Sequence, residues 1–373
     1  MKKILFLLLC VVLYSCADNH VAEIQELCKK ADELVENEEY ELAIVEYTKA
    51  IELNSDSAII AYIGRGDTYA KLEKNKEALS DLNTAIKLNP ENARAYKEKA
   101  GVYVNIKEYS SAIEEYTKAI ELDNEYNDAI YWRGVCYYNL EKYELALEDY
   151  SQSIKLEPST SNYNNRANVY WELERYQEAI DDYKKSIALD NESTDAILGR
   201  GNIYFGLENY TLAIDDYTSV IKLDPEYLHA YTNRSSAYLK LEKHNEALED
   251  CNRSLEIDSS YVIGYLRRAS VYQSMENYDK ALEDLNKVLD LEPDNTTGYM
   301  NRGNVYWDLE DNQAAIDDYT RVIKLDPEYR SGWAYINRGI MKEDLRQPYC
   351  SDYKKACELG SELACDYYED QCD

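Results

Sequence analysis

The segment YNNRANVYWEL at residues 163–173 returns as YMNRGNVYWDL at 299–309, a displacement of 136 residues that divides into four periods of 34. Self-similarity at a fixed period of 20–50 residues marks a repeat array, in which each unit buries its apolar face on the next. That constraint overrides the two or three globular domains that 373 residues would otherwise suggest. Aligned on a small residue and on an alanine twelve positions later, repeats start at Ile24, Ile59, Ala93, Asn127, Thr160, Thr194, Leu228, Val262 and Thr296. Five of the six prolines (Pro90, Pro158, Pro225, Pro293, Pro327) fall at repeat position 32, where they end one helix and open the next connection.

Each repeat carries two stretches of about a dozen residues with apolar side chains at helical spacing, separated by a polar turn such as LERYQEA. Position 8 is always small, from Ala31 to Gly339, and position 20 is alanine from Ala43 to Ala315. Small side chains at facing positions let two helix backbones approach closely, and a larger group there costs roughly 1–3 kcal/mol of overpacking. Tyrosines at positions 11 and 24, such as Tyr103 with Tyr116, supply the large body opposite the small one. With 38 tyrosines against two phenylalanines, the tyrosines read as packing residues whose hydroxyls reach the rim.

This pattern of small residue, tyrosine, alanine, aromatic, alanine and proline resembles the tetratricopeptide repeat over residues 24–329. The resemblance implies an all-α chain: a right-handed α-solenoid of nine full helical hairpins (24–329), a divergent tenth (330–359) and a C-terminal capping helix (360–373). Local departures are Leu34 and Lys342 at position 11, and Cys251 at position 24. One regularity exceeds the family consensus, which has an apolar residue at position 7. Here that position is basic in all ten repeats (Lys30, Arg65, Lys99, Arg133, Arg166, Arg200, Arg234, Arg268, Arg302, Arg338). Position 23 is acidic in all ten (Glu46, Asp81, Glu115, Asp149, Asp182, Asp216, Asp250, Asp284, Asp318, Asp352), which predicts a ladder of partly buried ion pairs, within or between neighbouring repeats.

The N-terminus reads MKKILFLLLCVVLYSC: two lysines, then an apolar run from Ile4 to Leu13 that is too short to span a bilayer, the form of an export signal. LYSC at 13–16 resembles the lipobox of bacterial lipoproteins, with Tyr14 atypical. The resemblance implies a signal peptide at 1–15, lipid on Cys16, a short linker at 16–23 and delivery to the bacterial envelope, with Ala17 pointing to an outer-membrane lipoprotein facing the periplasm or the cell surface. Contact with the membrane is then through the N-terminal lipid alone. A formal charge of -31 repels phosphate backbones, so nucleic acid is excluded as a partner. The charge reads first as a solvated, self-repelling surface, and a basic ligand is the alternative it leaves open.

Four of nine cysteines crowd the end of the chain, at Cys350, Cys357, Cys365 and Cys372. A helical hairpin folded about residue 361 sets 350 opposite 372 and 357 opposite 365, so two disulfides capping the last repeat fit this spacing. A four-cysteine zinc site does not, because seven residues of helix rise about 10.5 Å. Redox regulation is the alternative reading of the tail. Cys28, Cys136 and Cys251 read as small apolar residues.

Catalytic chemistry is hard to find: the three histidines share no repeat position, and no phosphate loop, dinucleotide glycine pattern or nucleophile elbow occurs. No enzyme, metal or cofactor is expected. In the family, an extended peptide is held in the groove formed by the first helices. Asn165, Asn233, Asn301 and Asn337 at position 6, with Asn168, Asn202 and Asn304 at position 9, are candidates to bond a peptide backbone there. Tyr131, Trp132, Tyr138, Trp171, Phe205 and Trp307 are candidate aromatic anchors. The position-12 rings have a second reading, packing between adjacent first helices. The leading expectation is a membrane-anchored scaffold for a protein or extended peptide, with a surface glycan binder and an assembly factor for pilus or outer-membrane machinery as alternatives.

Overall fold

A computed structural model describes residues 21–54 and 57–372. The proposed signal peptide and Cys16 lie outside the described residues. All regular structure among those residues is helical, and the chain divides into two compact units, Met1–Asn191 and Glu192–Asp373. In the N-terminal unit the helices are α1 (21–36), α2 (Tyr40–Leu53), α3 (Ile59–Lys71), α4 (Asn75–Leu88), α5 (Ala93–Asn105), α6 (Tyr109–Leu122), α7 (Asn127–Asn139), α8 (Tyr143–Leu156), α9 (Thr160–Glu172) and α10 (Tyr176–Leu189). The C-terminal unit holds α11 (Thr194–Gly206), α12 (Tyr210–Leu223), α13 (Leu228–Lys240), α14 (His244–Ile257), α15 (Val262–Ser274), α16 (Tyr278–Leu291), α17 (Thr296–Asp308), α18 (Asn312–Leu325), a 3-10 turn (Tyr329–Gly332), α19 (Trp333–Asp344), α20 (Cys350–Glu358) and α21 (Glu362–Cys372). Odd-numbered helices through α19 are the first helices of hairpins, and each packs on the even-numbered helix that follows. The chain is already helical at Val21, three residues before the first repeat begins at Ile24. Nothing in Val21, Ala22 or Glu23 breaks a helix, and Ile24, Cys28 and Ala31 bury one face of it.

The core is a run of small clusters, one per hairpin. Alanine 20 is fully buried in each full repeat (Ala43, Ala78, Ala112, Ala146, Ala179, Ala213, Ala247, Ala281, Ala315), and the position-24 rings Tyr47, Tyr116, Tyr150, Tyr217 and Tyr319 are buried beside it. At position 8 a Cβ on Gly303 would stand 2.7 Å from the Tyr319 ring, closer than packed carbon atoms approach.

Turn chemistry explains the constancy of the period. Every described hairpin turn has position 15 in the left-handed region, at Glu38, Glu73, Lys107, Glu141, Glu174, Glu208, Glu242, Glu276 and Glu310 (φ 56–61°), with Arg346 at 55° in the tenth. The following amide closes a Schellman motif, as in Lys74 N–H to Tyr69 C=O at 2.9 Å. Second helices end at an extended position 31, as the following proline demands in several repeats. There Asn89, Asp123, Asp224, Asp258 and Asp326 accept from the amide two residues on, at 2.8–3.1 Å.

All ten basic and acidic pairs form, each within its own hairpin. Eight are bidentate, with Arg Nε and Nη2 donating to both Asp oxygens at 2.6–3.0 Å in Arg65–Asp81, Arg133–Asp149, Arg166–Asp182, Arg200–Asp216, Arg234–Asp250, Arg268–Asp284, Arg302–Asp318 and Arg338–Asp352. Lys30–Glu46 (3.0 Å) and Lys99–Glu115 (2.7 Å) complete the set. In seven of them Nη1 also donates to a side chain at position 25 of the preceding hairpin: Arg65 to Thr48, Arg133 to Thr117, Arg166 to Ser151, Arg234 to Thr218, Arg268 to Asn252, Arg302 to Asn286 and Arg338 to Thr320, at 2.7–3.2 Å. The guanidinium therefore ties the two helices of one hairpin and the hairpin behind it. Tyrosines at positions 4 and 11 sandwich it, as Tyr299 and Tyr306 do Arg302 at 5.5 and 6.0 Å. Burial pushes the Asp149 and Asp250 carboxyls above their ordinary range against the pull of Arg133 and Arg234.

At the C-terminus, disulfides join Cys350 to Cys372 and Cys357 to Cys365, with Cα–Cα separations of 5.6 and 4.7 Å. They fasten α20 to α21, and Ala364 of α21 is buried against Ile336 and Ala356.

Two outcomes follow from these turns and staples. Glu276→Gly removes a left-handed non-glycine residue and raises stability in urea unfolding by about 0.5–1 kcal/mol. Cys350→Ser with Cys372→Ser lowers protection from hydrogen exchange in α20 and α21 first, by the equivalent of about 3 kcal/mol of loop-closure entropy.

Candidate functional site

The candidate amides and rings fall at positions 5, 6, 9 and 12 of the first helices, in two different environments. Position 9 serves the fold. The buried Tyr183, Tyr217 and Tyr319 hydroxyls donate to the Oδ1 atoms of Asn168 (2.5 Å), Asn202 (2.9 Å) and Asn304 (2.9 Å), and Tyr47 donates in the same way to Asp32. The oxygens of these asparagines are thus occupied by the hairpin's own tyrosine.

Position 6 links one hairpin to the one before it. Asn165 donates to the Tyr131 hydroxyl (2.8 Å), Asn233 to Asn202 Oδ1 (3.1 Å), and Asn337, itself buried, to Asn304 Oδ1 (3.3 Å). Asn301 is half-buried on α17 at the equivalent place. These bonds make a polar seam along the first helices, which the residue types at positions 6 and 9 disclosed but whose partners they did not.

Tyr138 and Phe205 share clusters with Val169 and Ala237 of the next first helix, and the position-12 rings also reach across their own hairpins. Tyr138, Trp171 and Phe205 lie against the first tyrosine of their own second helix, Tyr143, Tyr176 and Tyr210, with centroids 5.8, 5.4 and 5.5 Å apart. The left-handed turn brings positions 12 and 17 together, so the ring is drawn across the hairpin. Trp132, at position 6 of α7, makes an edge contact with Tyr131 at 5.6 Å and leaves 39 % of its surface exposed, while Trp171 and Trp307 leave 37 % and 38 %.

Beside Trp132 the first-helix face opens into a cavity of about 120 Å³, lined by Lys97, Glu98, Gly101, Val104 and Asn105 of α5, Tyr116 of α6 and Trp132. Burial pushes the Glu98 carboxyl above its ordinary range, only partly opposed by Lys97. Burial would lower the Lys97 ammonium, but the charges of Glu98, Tyr126 and Asp128 outweigh it and raise it. Gly101 stands at position 9, where an added Cβ would meet nothing within 4 Å. Tyr116, buried and at position 24, thus faces a glycine where Tyr183 faces Asn168. Neither Glu98, Gly101 nor Tyr116 was picked out as a site residue from sequence. The signal was present, as the one full repeat with glycine at position 9 opposite a position-24 tyrosine.

Among the described residues no three His, Cys, Asp or Glu side chains converge to hold a metal ion. Cys28, Cys136 and Cys251 are buried, which pushes their thiols up to about 11, 12 and 12. No described helix is long and apolar enough to cross a membrane.

Models of the tetratricopeptide repeat match residues 27–57, 63–127, 128–160, 163–193, 194–227, 228–261, 262–295 and 297–329. The chain belongs to the tetratricopeptide repeat family. Among solved structures it is similar to yeast Tom70, at 16 % identity and a TM-score of 0.55 over 93 % of this chain and 95 % of that one. A tetratricopeptide repeat protein from Parabacteroides merdae shares 20 % identity and a TM-score of 0.56 over 65 % of this chain and 97 % of its own. Both likenesses are of fold. The 58 kDa phosphoprotein of Plasmodium berghei is 38 % identical over 81 residues, 21 % of this chain and 19 % of that protein. This chain thus spans about a fifth of the length of the curated relatives it matches.

The seam separates two kinds of asparagine. Asn304→Ala takes the acceptor from the buried Tyr319 hydroxyl and the Asn337 amide and lowers stability by about 1–2 kcal/mol, whereas Asn301→Ala changes it by less than about 0.5 kcal/mol, both read from denaturant midpoints.

Proposed function

We propose that this repeat protein is a non-enzymatic scaffold of the bacterial envelope that holds an extended peptide or a partner protein on its first-helix faces. A tetratricopeptide array is suited to protein–protein interaction, and the observation that carries the reading here is the exposure of Trp132, Trp171 and Trp307 on first helices. An indole that is one-third exposed yet held edge-on by a neighbouring ring, as Trp132 and Trp171 are, loses little freedom on binding and offers a large apolar area. The seam asparagines border these rings, and the amide hydrogens of Asn168 and Asn304 are left to donate while their oxygens accept from tyrosine. A charge of -31 favours a basic partner over an acidic one. The LYSC segment at residues 13–16 supports anchorage through lipid on Cys16.

Two measurements check this. Cys16→Ser abolishes incorporation of an alkyne fatty acid and releases the protein from the membrane fraction; unchanged membrane association removes the anchor. Affinity capture from envelope extracts compares the wild type with Trp132→Ala/Trp171→Ala, a pair of exposed sites whose loss leaves the amide seam intact. Loss of a captured protein supports the scaffold. Loss of a polysaccharide with proteins unchanged would replace it by glycan binding.

A further inference from the structure

Gly101 sets the third hairpin apart. Where position 24 is Tyr47, Tyr183, Tyr217 or Tyr319, position 9 supplies an Asp or Asn acceptor; Val135 supplies none to Tyr150 but packs against it, whereas Gly101 opposite Tyr116 supplies neither an acceptor nor a side chain. Tyr116 is 2 % exposed and lines the cavity, which is where a group from outside the hairpin can reach it.

The second oddity is Glu98. Its side chain is 15 % exposed, yet its cations stand far off: Lys97 at 3.4 Å from both oxygens and the half-exposed Arg94 at 3.6 Å. The carboxylates of the ladder, more deeply buried at 2–5 % exposure, take arginine at 2.6–3.0 Å. Lys97 is also shared with Asp128, at 3.8 Å. An incoming cation can therefore take Glu98 and leave Lys97 to Asp128 without stranding a charge. The exposed Trp132 ring forms the opposite wall and suits an alkyl stem or a cation over its face. At about 120 Å³ the cavity is far below the roughly 300–1,000 Å³ of pockets that enclose a whole small ligand, and it matches one long side chain.

We propose that the cavity formed by Glu98, Gly101, Tyr116 and Trp132 is an anchor for a single basic side chain, arginine or lysine, of a peptide bound to the first-helix face. The anchor rests on the scaffold reading and names the chemistry of its ligand: Glu98 pairs the cation, Tyr116 bonds it, and Trp132 packs on its methylenes. Gly101 is the residue that makes room.

The test uses the full-length chain and the backbone-free probe n-butylguanidinium, with neutral n-butylurea as control, read from the indole ¹⁵N resonances of the four tryptophans. Trp132→Phe assigns its signal. The expected result is a saturable shift of Trp132 alone, at least threefold tighter for n-butylguanidinium than for n-butylurea. Glu98→Gln and Gly101→Asn abolish it. Gly101→Asn recreates the tyrosine–amide pair of Tyr183 and Asn168, so the variant keeps its fold, checked by circular dichroism, while its cavity is filled. An equal response to n-butylurea, a shift produced by glucose instead, or a response that survives Gly101→Asn would overturn the anchor. If the wild type captures a protein partner while the probe moves nothing, the anchor fails and the scaffold stands. Probe binding without any captured partner sinks the scaffold alone.

Discussion

The basic–acidic pair across each hairpin, arginine with aspartate in eight of ten, is the interaction on which the rest is arranged. Position 7 places a guanidinium between two helices, where its flat fork meets the position-23 carboxylate with two bonds and its third nitrogen reaches the hairpin behind. One side chain thereby fixes both the register within a hairpin and its seat on the previous one. An apolar residue could bury area at position 7 but could not choose between neighbouring registers. The raised Asp149 and Asp250 carboxyls reflect desolvation working against the pair. Its net stabilisation is therefore modest, and its larger effect is on which arrangement the helices adopt.

The same division of labour runs along the first helices. Oxygens of the position-9 asparagines are committed to tyrosine hydroxyls, and position-6 asparagines bridge hairpins, so the polar seam is mainly a structural device. In the proposed scaffold, recognition falls to what the seam leaves over: exposed indoles, amide hydrogens and the gap at Gly101. In a repeat array a functional site is thus marked by departure from the consensus, since the consensus positions are needed for stacking.

Much of the fold was legible in the sequence because its constraints recur at fixed positions. The 34-residue period, the small residue at position 8, alanine 20 and the prolines follow from the need to stack helical hairpins closely. The basic and acidic columns announced a ladder, but whether pairs close within or between hairpins was hidden, since both choices have the same periodicity. Direction was the harder part. Nothing in Asn168 or Asn304 says that a tyrosine fifteen residues later turns its hydroxyl toward them. Nor does Trp171 show that a left-handed turn will lay it on Tyr176. Helix ends are less legible still, as apolar spacing locates a buried face and not the first helical residue ahead of it.

A double-mutant cycle at Arg234 and Asp250, followed by hydrogen exchange in α13 and α14, tests the central claim most directly. If the pair sets the seating of the helices, Asp250→Ala alone destabilises by about 3 kcal/mol because the guanidinium is stranded, and adding Arg234→Ala recovers at least about 1 kcal/mol of that loss. Losses that simply add, with no recovery in the double variant, would contradict it.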